Sequence, residues 1–118
     1  MVVRGEVYAW DGTKATGSAL YESGPRTISY HNTAFRREKF PAAISATPGA
    51  QYVLFASIDK DYEQRTNGYE LAWASEDDSA YAKGTFVYQN NAGDEGQRTT
   101  SAWQVYGIDL AIKAVLTH

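Results

Sequence analysis

The chain predicts an all-β domain, and three observations predict it. Short apolar runs rich in β-branched and aromatic residues recur between Gly, Pro, Asn and Asp turn signals. Several of those runs alternate with period two. No long segment holds a helical period. Many short strands with frequent turns fold as a sandwich or a barrel.

The elements follow in order. Val2 to Trp10 alternates, with Val3, Gly5, Val7 and Ala9 on one face and Arg4, Glu6, Tyr8 and Trp10 on the other. The small apolar set suits a core. The second set places two aromatic rings outside or beneath another layer. Asp11-Gly12 ends the strand. Thr13 to Gly17 reads as a loop, Ser18 to Tyr21 as a short edge strand and Ser23-Gly24-Pro25 as a turn. Thr27 to Tyr30 reads as a further strand. His31-Asn32-Thr33 turns into Phe35 to Phe40, which stops at Pro41. Phe35 and Phe40 would fall on opposite faces of an unbroken strand, so a bulge or an early stop separates them.

Thr47-Pro48-Gly49 launches the most apolar run, about Ala50 to Ile58. Tyr52, Leu54, Ala56 and Ile58 share one face, and Val53, Phe55 and Ser57 share the other. Both faces are apolar, so both are expected to be covered, and the other strands are expected to be arranged around this one. Asn67-Gly68 is a favoured tight turn before a strand from Tyr69 to Ala74, which carries Leu71 and Trp73. Ser75 to Lys83 is a polar loop. Gly84 to Gln89 is a strand with Phe86 and Tyr88 on one face. Asn90 to Thr100 is a long loop, of the kind that is often functional. From Ile108 to Leu116 the alternation is the clearest in the chain and predicts a half-buried last strand.

At 118 residues the chain fits one domain, 1–118, large enough to fold without staples. A net charge of −3 and a pI near 5.3 argue against nucleic acid, which wants a basic stripe. The cluster Arg36-Arg37-Glu38-Lys39 reads as a solvated strand face. With no cysteine, disulfides and thiolate metal sites are excluded. No run is long enough for a transmembrane helix. Met1-Val2-Val3-Arg4 runs directly into a strand without a signal peptide, so a complete chain would stay in the cytoplasm.

Several phrases carry a resemblance across nearly the whole chain. They are Tyr8-Ala9-Trp10-Asp11-Gly12-Thr13-Lys14-Ala15-Thr16-Gly17, Ala19-Leu20-Tyr21, Pro48-Gly49-Ala50-Gln51-Tyr52-Val53-Leu54-Phe55, Gly84-Thr85-Phe86-Val87-Tyr88-Gln89-Asn90-Asn91 and Asp109-Leu110-Ala111. The chain resembles the bacterial exported β-sandwich domains of choice-of-anchor and PEP-CTERM-type surface proteins. The resemblance implies an antiparallel, jelly-roll-like sandwich, an extracellular or cell-surface location and no enzymatic role. Such domains usually have a signal peptide and one or two strands before the Tyr-Ala-Trp-Asp-Gly phrase. Here Met1 stands almost at that phrase. If those strands are missing, an unpaired strand edge invites a homodimer.

Candidate chemistry is sparse. His31 and His118 lie far apart, and neither a nucleophile elbow nor a phosphate-binding or dinucleotide fingerprint is present. Carboxylates cluster as Asp59 with Asp61, Asp77 with Asp78 and Asp94 with Glu95. Solvated loop acids are the plain explanation. A structural calcium is the one cofactor such loops suggest, although none matches an EF-hand. A glycosidase would need two acids on one cleft wall, and nothing places them there.

The aromatics point further. Trp10, Trp73 and Trp103, with Tyr8, Tyr69, Tyr81, Tyr88 and Tyr106, could form a stacking platform for sugar rings, with nearby amides and acids holding hydroxyls. Core packing is the alternative for each. The expected contact residues are Trp10, Trp103, Tyr88, Asn90, Asn91 and Asp94. The expected function is a non-enzymatic module of an exported or surface protein that binds polysaccharide or acts in adhesion. The alternative is a purely structural, self-associating domain with no small ligand.

Overall fold

Strand β1, Val2–Trp10, is paired along both of its edges. The computed structural model describes residues 1–28, 37–61, 73, 75–76, 84–111 and 114–115. Among them the protein is all-β with antiparallel pairing and a single helical turn. The further elements are β2 (Ala15–Glu22), β3 (Arg26–Thr27), β4 (Gln51–Ser57), β5 (Ser75–Glu76), β6 (Phe86–Tyr88), α1 (Gln97–Thr100), β7 (Gln104–Tyr106) and β8 (Asp109–Leu110).

On one edge of β1, β4 runs in unbroken register from Arg4 opposite Ser57 to Trp10 opposite Gln51. On the other edge lie β2 and then β3. The central place therefore belongs to β1 and not to the apolar run of β4, which pairs only with β1 among the described residues. β4 buries Val53 and Ser57, while Leu54 on its opposite face is 46% exposed. An apolar side chain on a strand does not compel a second covering layer.

β2 starts earlier than the alternation suggests. The Asp11 carboxylate accepts hydrogen bonds from the Thr13 N–H (2.8 Å), the Thr13 hydroxyl (3.0 Å) and the Lys14 N–H (2.9 Å). This closes the hairpin within four residues and leaves Ala15 free to pair with Trp10. The Lys14 ammonium at 2.6 Å, with those N–H groups, holds the Asp11 carboxyl below its usual range. Thr16 pairs with Ala9 and Tyr21 with Val7, so residues 17–20 bulge opposite Tyr8.

At the Ser23-Gly24-Pro25 turn a side chain stands in for the ladder. The Ser23 N–H donates to the Gly5 carbonyl, and the Gly5 N–H donates to the Ser23 hydroxyl, both at 2.9 Å. The chain then regains register as β3, with Arg26 opposite Val3 and Thr27 opposite Val2. β4 is launched by a type II turn, in which the Ala50 N–H donates to the Thr47 carbonyl at 3.1 Å. Pro48 supplies its fixed φ, and Gly49 takes the left-handed position at φ 81°.

β1 is covered on both faces. Val3, Gly5 and Val7 are buried on one, as the alternation predicts. There the Phe40 ring occupies the space where a Cβ on residue 5 would stand. Gly5→Ala is therefore expected to cost about 1–3 kcal/mol by overpacking. A denaturant midpoint equal to wild type would show that the ring gives way freely. The other face carries Glu6, Tyr8 and Trp10, with Ala15 from β2 and Val53 and Phe55 from β4. Residues 97–103 lie over it. The core here is Ala15, Val53 and Trp103, with Tyr8, Trp10, Phe55 and Val87 packed against it.

Two expectations change at the C-terminal end. The predicted loop from Asn90 to Thr100 contains α1. Among its described residues the predicted strand from Ile108 to Leu116 is a strand only at Asp109–Leu110, which pairs with β5, and Val115 is 76% exposed. The predicted strand residues 29–30, 35–36, 69–72, 74, 112–113 and 116, and the His31-Asn32-Thr33 and Asn67-Gly68 turns, lie outside the described residues, while residues 37–40 are described and are not in a strand. Trp73 is described but is not in a strand, and its indole N–H donates to the Ala111 carbonyl at 3.3 Å.

Candidate functional site

β6 and β7 form an antiparallel pair, with Phe86 opposite Tyr106 and Tyr88 opposite Gln104. Directly opposed residues share a face, so Phe86, Tyr88, Gln104 and Tyr106 project together while Val87 packs toward the core. Phe86 and Tyr88 stack at 5.8 Å between ring centroids with 26° between planes. After Tyr106 the chain bends tightly at Gly107, where the Ile108 N–H donates to the Tyr106 carbonyl at 2.9 Å. Phe86, Tyr88, Tyr106 and Ile108 then line an open depression of about 370 Å³. None of the four lining side chains is charged. Tyr106 is 55% exposed, and Gln104 on the same face is exposed.

The connector between β6 and β7, residues 89–103, is anchored across the sheet by Arg98, which is only 2% exposed. Its Nη1 donates to Glu6 Oε1 (2.7 Å), its Nε to Asp59 Oδ2 (2.9 Å) and its Nη2 to the Ser57 hydroxyl (2.6 Å). The guanidinium also lies 5.2 Å from the Phe55 ring centre and 5.9 Å from that of Tyr8. Burial opposes its charge, but Glu6, Tyr8 and Asp59 outweigh burial and hold its pKa above the ordinary arginine value. Burial pushes the Glu6 carboxyl up, and Arg98 offsets this only in part.

The six expected contact residues do not come together. Tyr88 lines the depression. Trp103 is 8% exposed and sits in the core, edge-on to Trp10 (5.6 Å) and to Phe55 (5.1 Å). Its indole N–H donates to the Arg98 carbonyl at 3.0 Å. Trp10 is half-buried against it. Both tryptophans thus pack as core, because the polar loop before Trp103 folds inward on Arg98. Asn91 is buried, and its Nδ2 donates to Asp59 Oδ2 at 2.7 Å. Asp94 is exposed and turns its own loop, accepting from the Gly96 N–H at 3.0 Å. Asn90 is exposed, two residues beyond Tyr88.

Phe86 and Ile108 were not among those six, although the Phe86/Tyr88 alternation points to the first of them. The loop acids have defined partners: Asp59 pairs with Arg98, and Asp61 with Arg4 at 3.0 Å. Asp77, Asp78, His31 and His118 lie outside the described residues. Among the described residues no three His, Asp or Glu side chains are grouped as metal ligands, and no helix is long and apolar enough to cross a membrane. Comparison with protein-family models, with curated proteins and with solved structures finds no match to this chain.

Proposed function

We propose that the protein is a non-enzymatic module of an exported or cell-surface protein that holds a polysaccharide on the β6–β7 depression. The carrying observation is the set of outward rings Phe86, Tyr88 and Tyr106 around an open, uncharged hollow. Sugar rings present apolar C–H faces that pack on aromatic faces, and an amide at the rim suits their hydroxyls. Gln104 is that amide. The jelly-roll-like sandwich and the exported location belong to the same proposal and rest on the phrases quoted above.

Calorimetric titration against a panel of soluble polysaccharides tests the proposal. Tyr106→Ala is expected to weaken binding about tenfold, or ~1.4 kcal/mol, with an unchanged melting temperature because that ring is largely exposed. A panel with no binder, or a binder indifferent to Tyr106→Ala, overturns it. A second reading, a structural domain acting through chain–chain association, draws on β4, whose only partner among the described residues is β1. A mass by light scattering that doubles with concentration, with no glycan bound, would favour that reading.

A further inference from the structure

Glu6 and Glu22 stand directly opposite each other on adjacent strands, on the face that the connector covers. Their surroundings are unequal. Glu22 accepts from the Lys60 ammonium at 2.6 and 2.7 Å and lies 3.5 Å from Arg4 Nη1. The Glu6 side chain is 1% exposed, and Arg98 reaches only Oε1. Oε2 is buried and has no hydrogen-bond donor. A buried carboxylate oxygen without a donor, across from a second carboxylate, is costly when ionised. A proton on it removes both penalties.

We propose that Glu6 is a proton-binding site: in the folded protein its carboxyl carries a proton at pH values where an exposed glutamate is ionised, stabilised by the Glu22 carboxylate across the strand pair. The groups facing it are Arg4 and Tyr8 on its own strand, Glu22 on β2, Ser57 on β4 with Asp59 and Lys60 just after it, and Arg98 on α1. The pKa directions agree. Burial, with Glu22 adding to it, raises Glu6, and hydrogen bonding to Lys60 lowers Glu22, with Glu6 contributing in the same sense.

The sign of the linkage follows. The folded chain binds this proton more tightly than the unfolded chain. The stabilisation from Glu6 is complete below the ordinary value of 4.5 and is lost as pH rises through the raised folded value. Arg98 sits midway in the connector that joins β6 to β7. The Glu6 proton site stands whether or not the depression takes a sugar.

The test is a carboxyl carbon NMR titration of the full chain with labelled glutamate, Glu6 being assigned through its own backbone. The expected result is a Glu6 midpoint clearly above that of exposed glutamates. In Glu22→Gln the same resonance should titrate at lower pH. In Glu6→Gln, proton uptake on folding just above pH 4.5, read as a difference in calorimetric heat between buffers, should fall by a fraction of a proton. A Glu6 resonance that titrates with or below the exposed glutamates overturns the proposal. The wild-type titration decides this even if neither variant folds.

Discussion

Arg98→Ala is expected to lower the unfolding free energy by about 3–5 kcal/mol, the range for removing one partner of a buried ion pair. The substitution leaves Glu6, Asp59 and the Ser57 hydroxyl without their common donor, and it strips the cation from over Phe55. Glu6 then faces Glu22 without the Arg98 charge beside it. Combining Arg98→Met with Glu6→Gln should cost clearly less than the sum of the two single changes, because the residues share one network. Denaturant midpoints of the four proteins give the comparison. Strict additivity would mean that the contact does not hold the connector.

Trp103→Ala is the second large expectation, again about 3–5 kcal/mol, as for aromatic truncation in a core. The ring meets Trp10 at 87° and Phe55 at 80°, edge-on geometries that add to simple burial. Its N–H also satisfies the Arg98 carbonyl, and its backbone N–H donates to the Thr13 carbonyl at 2.8 Å. Trp103→Phe keeps much of the packing but orphans that buried carbonyl, so its cost should fall between wild type and Trp103→Ala. Thermal melts rank the three. A melting temperature for Trp103→Ala within a degree or so of wild type would contradict the core placement.

How much was legible in the chain depended on whether the determinants were local. β1 and its stop at Asp11-Gly12 could be read, because alternation and an Asp-Gly break are short-range signals. The place of β1 in the sheet could not. Both β1 and β4 alternate, and periodicity does not say which strand acquires two partners. β2 was shortened in the reading, because Thr13 to Gly17 looks like loop until the Asp11 carboxylate is seen closing the turn early. The alternation from 108 to 116 runs past Asp109 and Leu110, the two residues of that stretch that are paired among those described.

The candidate site shows the same division. Phe86 and Tyr88 sharing a face was legible, and their stacking bears it out. Arg98 was not, because Glu6, Ser57 and Asp59 stand 92, 41 and 39 residues away along the chain. Without that anchor, Trp103 looked like a loop-edge ring open to a ligand. With it, Trp103 is drawn beneath the connector, and Tyr88 is left outside with Phe86 and Tyr106.

The most direct test of the β6–β7 site is a ring-resolved NMR titration of the intact chain with the polysaccharide that binds it. Shifts are expected to concentrate on the Phe86, Tyr88 and Tyr106 rings and the Ile108 methyls, while the indoles of Trp10 and Trp103 stay in place. Perturbation centred on Trp10 and Trp103, with the β6–β7 rings unmoved, would contradict it.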